Sequence, residues 1–212
     1  MTALVKICGL TTPDAVAAAA SADFAGFNFY PRSPRYVTPE HAAALAAALP
    51  PTIPRVAVTV DADDATLAAI VTALRPAFIQ LHGAEGPPRA AEIRKNFRVG
   101  AIKVIAVAAP GDLAAADRFT HSIDWLMFDA KPPARADALP GGNAESFDWT
   151  MLAGRRFAHP WLLAGGLDAC NVTTAIAVSG APAVDVSSGV ESTRGRKDPA
   201  KIAAFIAAAR DA

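Results

Sequence analysis

Short runs of apolar residues alternate with alanine-rich segments along the whole chain. The apolar runs predict eight strands, at Leu4–Cys8, Phe24–Phe29, Arg55–Val60, Phe78–Leu81, Ile102–Ala106, Trp125–Phe128, Trp161–Ala164 and Ala183–Val186. Several of these runs are almost entirely apolar, as parallel strands are when helices cover both faces of their sheet. The pattern therefore predicts a parallel α/β protein.

Helix starts lie between the predicted strands. Thr12 and Thr38 are each followed by a proline and then an acidic residue. A hydroxyl can cap the free amides, proline suits the first helical position, and an acid suits the positive end of a helix. We also predict that helices begin at Asp63, Asp168 and Pro199.

The number of strands suggests a barrel. Eight strands in 212 residues give a repeat of about 26 residues, the size of a minimal unit of a (β/α)₈ TIM barrel. An open sheet would have fewer strands, and no Gly-x-Gly-x-x-Gly motif follows the first strand. We expect residues 1–212 to form a single barrel domain around a closed, parallel, eight-stranded sheet. The Pro- and Gly-rich stretch 131–143 is interpreted as a lid or a flexible insertion.

Composition narrows the possible functions. Hydrophobic residues make up 52% of the chain, which excludes a disordered protein, and the 20 basic residues balance the 20 acidic ones, which argues against nucleic-acid binding. No apolar stretch approaches the ~20 residues of a membrane span, and no signal peptide is indicated. Two cysteines form no disulfide framework, so a cytoplasmic location is expected. The four scattered histidines form no metal-binding motif, and we expect no metal.

Two reactive side chains lie at predicted strand ends. Cys8 ends the first strand, and Asp129 follows the sixth. A lone cysteine in a strand is usually an inert core residue, but at a strand end before a helix a thiolate can be stabilised and used as a base or nucleophile. Aspartate after a strand often only caps a turn, yet the mouth of a barrel is where catalytic acids lie.

The last two strands end in small residues. Gly165 and Gly166 follow the seventh strand, and Ser187 and Ser188 follow the eighth. Barrels commonly bind phosphate at this place through backbone amides. Glycine also makes ordinary turns, so the prediction of a phosphate site depends on the two loops together.

Two further residues are candidates for substrate binding. Arg35, in the loop after the second strand, can bind a carboxylate through two parallel hydrogen bonds, or it is a solvated loop residue. His82, after the fourth strand, either contacts a ligand or is a hydrogen-bonded structural histidine.

Taken together, the motifs resemble the phosphoribosylanthranilate isomerase family over essentially the whole chain. The matching segments, in the family's order, are Lys-Ile-Cys-Gly-Leu (6–10), Gly-Phe-Asn-Phe-Tyr-Pro-Arg-Ser-Pro-Arg-Tyr (26–36), Gln-Leu-His-Gly (80–83), Phe-Asp-Ala-Lys (128–131), Ala-Gly-Gly-Leu (164–167), Val-Asp-Val-Ser-Ser-Gly-Val-Glu (184–191) and Gly-Arg-Lys-Asp (195–198). Each segment is modestly specific, but their combination in this order is highly specific.

The resemblance implies an Amadori rearrangement in tryptophan biosynthesis, without a cofactor. By position, Asp129 would be the general acid that opens the ribose ring, and Cys8 would be the general base that removes the proton from C2. Arg35 would bind the anthranilate carboxylate. Asp185 would contact the substrate or position the loops. The 5-phosphate would be bound by Gly165, Gly166, Ser187 and Ser188. The expected partner is a small phosphorylated molecule, with no nucleic acid or membrane, and the chain would be a monomer or a homodimer.

One segment departs from the family, and other functions remain open. Ala144 stands where many members have a glycine, and a lysine common in this segment is absent. The alternatives are a histidine-pathway Amadori isomerase, an indole-glycerol-phosphate synthase with Lys6 or Lys103 as its lysine, a pentose-phosphate epimerase, and a non-catalytic phosphate-binding barrel. A histidine-pathway isomerase would be expected to have paired aspartates, and an epimerase would be expected to have a metal site. The presence of both Cys8 and Asp129 argues against a non-catalytic barrel.

Overall fold

Eight parallel strands close into a barrel. The structure, a computed structural model, describes residues 2–134 and 139–212. The strands are β1 (Leu4–Cys8), β2 (Phe24–Asn28), β3 (Arg55–Thr59), β4 (Phe78–Leu81), β5 (Gly100–Val107), β6 (Trp125–Ala130), β7 (Trp161–Leu163) and β8 (Ala183–Val186). Each strand pairs with the next in the chain, and β1 pairs with β8, with Lys6 opposite Asp185. The predicted (β/α)₈ architecture is confirmed.

The observed strands differ from the prediction mainly at β5 and β6. Their parallel ladder runs from Ile102 and Trp125 to Val107 and Ala130. Asp129 therefore lies inside β6 and does not follow it. Pairing with β5 extends the strand beyond its apolar run, which the local sequence does not reveal.

Helices and 3₁₀ segments surround the barrel. The α-helices are α1 (Pro13–Ala18), α2 (Pro39–Ala46), α3 (Asp64–Leu74), α4 (Pro87–Phe97), α5 (Val172–Ser179) and α6 (Pro199–Arg210). The connections from β5 to β6 and from β6 to β7 contain 3₁₀ segments at Pro110–Phe119 and Trp149–Leu152. Within the described ranges, no helix is long and apolar enough to cross a membrane.

Most of the predicted helix starts are confirmed. The start at Asp168 is wrong, because α5 begins at Val172 and the Asp168 carboxylate accepts hydrogen bonds from the Cys170 and Asn171 amides in the turn before it. The Thr38 and Asp63 side chains accept hydrogen bonds from the backbone amides of His41 and Thr66, and α6 begins at Pro199. The predicted cap at Thr12 is wrong, because its hydroxyl donates to the Asp14 carboxylate and accepts no hydrogen bond from the helix, and the Ala15 amide donates to Asp14 instead.

Side chains alternate between two cores along each strand. One set packs between the strands and the surrounding helices. The other fills the barrel interior and consists of Phe24, Val56, Ile102, Val104, Met127, Leu162, Ala164 and Ala183, with Phe78 and Trp125 packed against them. Because successive residues of a strand point to opposite faces, Lys6 and Cys8 share the interior face of β1. The interior cluster supports polar groups at the carboxyl ends of the strands.

Candidate active site

Two adjoining cavities open at the carboxyl ends of the strands. The thiol cavity, about 480 Å³, is lined by Cys8, Asn28, Tyr30, Ser33, Arg35, Val58, Val60, Gln80, His82, Asp129, Leu139, Pro140, Gly141, Gly142, Asp185 and Ser187. The glycine-rich cavity, about 400 Å³, is lined by Asp129, Ala130, residues 141–145, residues 164–167, Asp185, Ser187 and Ser188. All nine candidate site residues therefore line one cavity or both, on loops that are far apart in the sequence.

Cys8 lies at the end of β1 and is 7% exposed. Burial raises the pKa of its thiol, despite the opposing positive charges of Lys6 and Lys197. The groups that favour the thiolate are thus buried lysines, whereas the sequence had suggested the amides of the following helix. A thiol of raised pKa is a stronger base once it is ionised.

Asp129 reaches into both cavities from β6 and is also 7% exposed. One carboxylate oxygen accepts a hydrogen bond from the Ala130 amide at 2.9 Å. The other lies 3.3 Å from His82 Nε2, but the two are not aligned for a hydrogen bond. One carboxylate oxygen therefore has no hydrogen-bond partner among the described residues and faces the cavity.

His82 lies beside Asp129 and contacts the side chain of Gln80, two residues earlier in the chain. Its Nδ1 is 3.2 Å from the amide nitrogen of Gln80, which can donate to it. The Nε2 atom of His82 makes no hydrogen bond with the described residues. His82 is thus both a structurally held residue and a cavity-lining one.

Gly165 lets Asp129 and the loop after β7 approach each other. Its φ is 90°, and a Cβ atom there would lie 2.8 Å from the Ala130 nitrogen and 3.2 Å from a carboxylate oxygen of Asp129. Any larger residue would clash with the Ala130 backbone and crowd the carboxylate. The backbone amides of Gly165, Gly166, Ser187 and Ser188 have no hydrogen-bond acceptor in the described part of the chain. They form a set of donors suited to an anion.

Arg35 is held by a carboxylate from the other end of the chain. Its Nε and Nη2 donate to the two carboxylate oxygens of Glu191 at 2.6 and 3.0 Å. The two parallel hydrogen bonds expected for a ligand therefore go to Glu191. Nη1 makes no hydrogen bond within the described residues. It is the nitrogen of the guanidinium group that is available to a substrate.

The hairpin after β8 holds this arrangement together. It consists of β9 (Glu191–Thr193) and β10 (Arg196–Lys197). Lys197 Nζ donates to Glu191 at 2.8 Å and to the carbonyl oxygen of Ser187 at 2.8 Å. The Ser187 hydroxyl in turn donates to the Cys8 carbonyl oxygen. One chain of contacts thus joins Arg35 to the backbone of the thiol residue.

Glu191 and Lys197 were not singled out from the sequence. Both lie in segments that carry the family resemblance, 184–191 and 195–198, which was the signal available. Ala144 has a φ of 61°, a conformation that glycine adopts at no steric cost. This geometry explains why a glycine is common there. Residues 135–138 of the predicted lid lie outside the described part of the chain, and residues 139–143 line the cavities.

Lys103 lies outside this site. Its ammonium donates to the Gly83 carbonyl oxygen at 2.7 Å and to Glu85 at 3.2 Å, and it lies 5.8 Å from the centre of the Phe119 ring. The side chain thus faces the outer layer of the barrel. Lys6 is buried and paired with Asp185. Neither lysine is placed as the free amine that a synthase would use.

Glu191→Gln is expected to reduce stability in a pH-dependent way. Although burial opposes it, hydrogen bonds from Arg35 and the charge of Lys197 lower the pKa of Glu191 to about 2. A carboxyl group with a depressed folded-state pKa stabilises the protein fully above its unfolded-state pKa, about 4.3. The difference in free energy of unfolding between wild type and Glu191→Gln should be constant above about pH 5.5 and shrink as pH falls toward 2. Urea unfolding across this range measures it, and a difference independent of pH would contradict the pairing.

A closed eight-stranded barrel with its cavities at the carboxyl ends of the strands defines a (β/α)₈-barrel protein. The model of the N-(5'phosphoribosyl)anthranilate isomerase family matches residues 5–208. The chain belongs to this family.

Individual relatives agree with the family assignment. The chain is 52% identical over 215 residues to the N-(5'-phosphoribosyl)anthranilate isomerase of Parvibaculum lavamentivorans, covering 100% of both chains. Among solved structures it is similar to a phosphoribosyl anthranilate isomerase in complex with reduced 1-(o-carboxyphenylamino)-1-deoxyribulose 5-phosphate, with a TM-score of 0.85, 32% identity and coverage of 99% and 100%. It is also similar to monomers generated from the dimeric isomerase of Thermotoga maritima, with a TM-score of 0.84, 31% identity and the same coverage.

Proposed function

We infer that this chain is an isomerase of tryptophan biosynthesis that acts on N-(5-phosphoribosyl)anthranilate. It converts this aminoaldose into the aminoketose 1-(2-carboxyphenylamino)-1-deoxyribulose 5-phosphate by an Amadori rearrangement. The observation that carries the assignment of roles is that Cys8 and Asp129, from β1 and β6, are both buried and line the same cavity. We propose that the whole chain acts as one barrel domain.

Asp129 is the proposed general acid. It donates a proton to the ring oxygen of the furanose, and the bond between this oxygen and C1 breaks. The anthranilate nitrogen supplies the electron pair that forms a Schiff base at C1. The Asp129 oxygen that faces the cavity accepts no hydrogen bond from the described residues, so in the protonated acid this oxygen can carry the proton that is transferred.

Cys8 is the proposed general base. Its thiolate removes the proton from C2, and the electron pair of that bond forms the C1=C2 double bond of an enolamine. The positively charged nitrogen of the Schiff base accepts the displaced electrons, which makes C2–H acidic enough for a thiolate. The enol then tautomerises to the ketone, as C1 gains a proton and the C2 hydroxyl loses one. The proton given by Asp129 and the proton taken by Cys8 cancel in the substrate, so the product is an isomer, and exchange of protons with solvent resets the two side chains.

The glycine-rich cavity is the proposed phosphate site. Amides of Gly165, Gly166, Ser187 and Ser188 lack acceptors within the described residues, and these four residues line one cavity from two loops. Backbone donors bind phosphate through directed hydrogen bonds without a mobile side chain. The bound analogue in the related structure is itself a 5-phosphate. One related structure derives from a dimeric isomerase, and we propose that this chain is a monomer or a homodimer.

Arg35→Ala is expected to raise KM for the substrate at least about tenfold, with a smaller effect on kcat. Nη1 of Arg35 faces the thiol cavity beside Gly142, and a hydrogen bond between charged groups contributes about 1.5–3 kcal/mol. Steady-state kinetics measures this effect. Arg32→Ala is the matched control, because Arg32 is an exposed arginine in the same loop. An unchanged KM would return Arg35 to a purely structural role with Glu191.

Complementation tests the assignment in cells. A bacterial strain that lacks phosphoribosylanthranilate isomerase should grow without tryptophan when it expresses this chain, and should not when it expresses the Cys8→Ala variant at the same level. Failure of the wild-type chain to support growth, despite soluble expression, would contradict the proposed function. A parallel histidine auxotroph detects the histidine-pathway Amadori reaction.

A further inference from the structure

Lys6 is a charged residue in the interior of the barrel. Its side chain is 0% exposed, and the residues that otherwise fill the interior are mainly apolar. A buried charge is costly unless it is paired. Neither packing nor the proposed chemistry accounts for an ammonium group at this position, two residues before Cys8 on the same strand.

The ammonium group contacts an anion and lies next to the thiol. Lys6 Nζ donates to a carboxylate oxygen of Asp185 at 2.6 Å. It makes no other hydrogen bond within the described residues, although an ammonium has three donors. A Cβ atom at Gly26 would lie 3.2 Å from Lys6 Nζ and 3.4 Å from Cys8 Sγ. The ammonium and the sulfur therefore border the same small space, which Gly26 leaves open.

The charged groups around Cys8 come from three strands. Lys6 lies on β1, Asp185 on β8 and Lys197 on β10, while Gly26 of β2 carries no charge. Arg35, whose side chain packs on Gly9, forms a salt bridge with Glu191. Asp185 disfavours a thiolate, and the two lysines favour it, with Lys6 the stronger of the two. Burial lowers the pKa of Lys6, but Asp185 and Cys8 more than offset this, so that its pKa is raised and it stays charged.

We propose that Lys6 is a positioning residue whose single positive charge, shared between the sulfur and the Asp185 carboxylate, stabilises the thiolate of Cys8 when it forms. The proposal rests on the proposed role of Cys8 as the base. It assigns to Asp185 the task of holding the Lys6 ammonium beside the sulfur. It also explains why a small residue stands at Gly26, since a side chain there would part the two groups.

Titration of the thiol tests the proposal without substrate. Cys170→Ser removes the only other cysteine, which is exposed, so the ultraviolet absorbance of the thiolate reports on Cys8. The absorbance of a Cys8→Ala/Cys170→Ser protein is subtracted at each pH. In this background, Lys6→Met/Asp185→Asn removes both charges and keeps the interior neutral. Because Lys6 favours the thiolate more strongly than Asp185 disfavours it, the midpoint of thiol ionisation should rise, by less than the roughly one unit or more that removal of an opposite charge alone would give.

A second variant gives a shift in the opposite direction. Asp185→Asn alone leaves the Lys6 ammonium with the sulfur as its remaining anionic neighbour, and the midpoint should fall. Damage to the fold would not move the two variants in opposite directions. Midpoints that coincide with the parent in both folded variants, or in Asp185→Asn if the double variant fails to fold, would overturn the proposal. Loss of the proposed function would appear separately, as wild-type protein that titrates as expected but does not turn over the substrate.

Discussion

Asp129→Asn should bind the substrate with nearly wild-type affinity but turn it over about 10² to 10⁴ times more slowly, the range for the loss of a general acid. Asparagine keeps the shape of the side chain and the contact with the Ala130 amide, but it has no proton to transfer to the ring oxygen. The effect should fall on kcat and leave KM little changed. Steady-state kinetics and equilibrium binding of a product analogue separate the two quantities.

Asp117→Asn is the matched control for this variant. Asp117 is exposed, in the 3₁₀ segment that follows β5, and its side chain makes no hydrogen bond with the described residues. Near-wild-type turnover by Asp129→Asn would refute the assignment of Asp129 as the acid. The proton would then have to come from another group at the mouth, of which His82 is the nearest.

Cys8→Ala should lower kcat by a similar factor, about 10² to 10⁴, because it removes the base that takes the proton from C2. The lost sulfur leaves only a small space at the edge of an existing cavity, so the variant should fold. Circular dichroism and thermal unfolding check the fold, and stopped or continuous assays give kcat.

Cys170→Ala controls for the loss of a thiol elsewhere. Cys170 is exposed and lies in the turn before α5. It should retain wild-type kcat. If Cys8→Ala also turned over at the wild-type rate, Cys8 would be a core residue and the base would have to be sought among the other groups of the thiol cavity.

The sequence predicted the barrel because its physical causes are local. Buried parallel strands are continuous apolar runs, and their carboxyl ends meet at one mouth, so residues such as Cys8 and Ser187 could be placed together from their positions at strand ends. Thr38 could be identified as a cap for the same reason, since its partner His41 is only three residues away.

Contacts between distant segments could not be predicted in this way. Arg35 and Glu191 are 156 residues apart, and nothing near Arg35 indicates that a carboxylate from the last hairpin occupies two of its donors. Asp129 lies within β6 because β5 extends beside it. Burial raises the pKa of Cys8 and lysines from two strands oppose the rise, and only the folded barrel brings these groups together.

Turnover of freshly made N-(5-phosphoribosyl)anthranilate by the purified protein tests the proposed activity most directly. Loss of substrate fluorescence follows the reaction, and mass spectrometry of the product mixture checks that an isomer of unchanged mass is formed. We predict saturable turnover by the wild-type protein. Cys8→Ala should reduce kcat to about 1% of the wild-type value or less, within the range expected for loss of a general base. A folded wild-type protein that binds a product analogue but leaves the substrate unchanged would contradict the account.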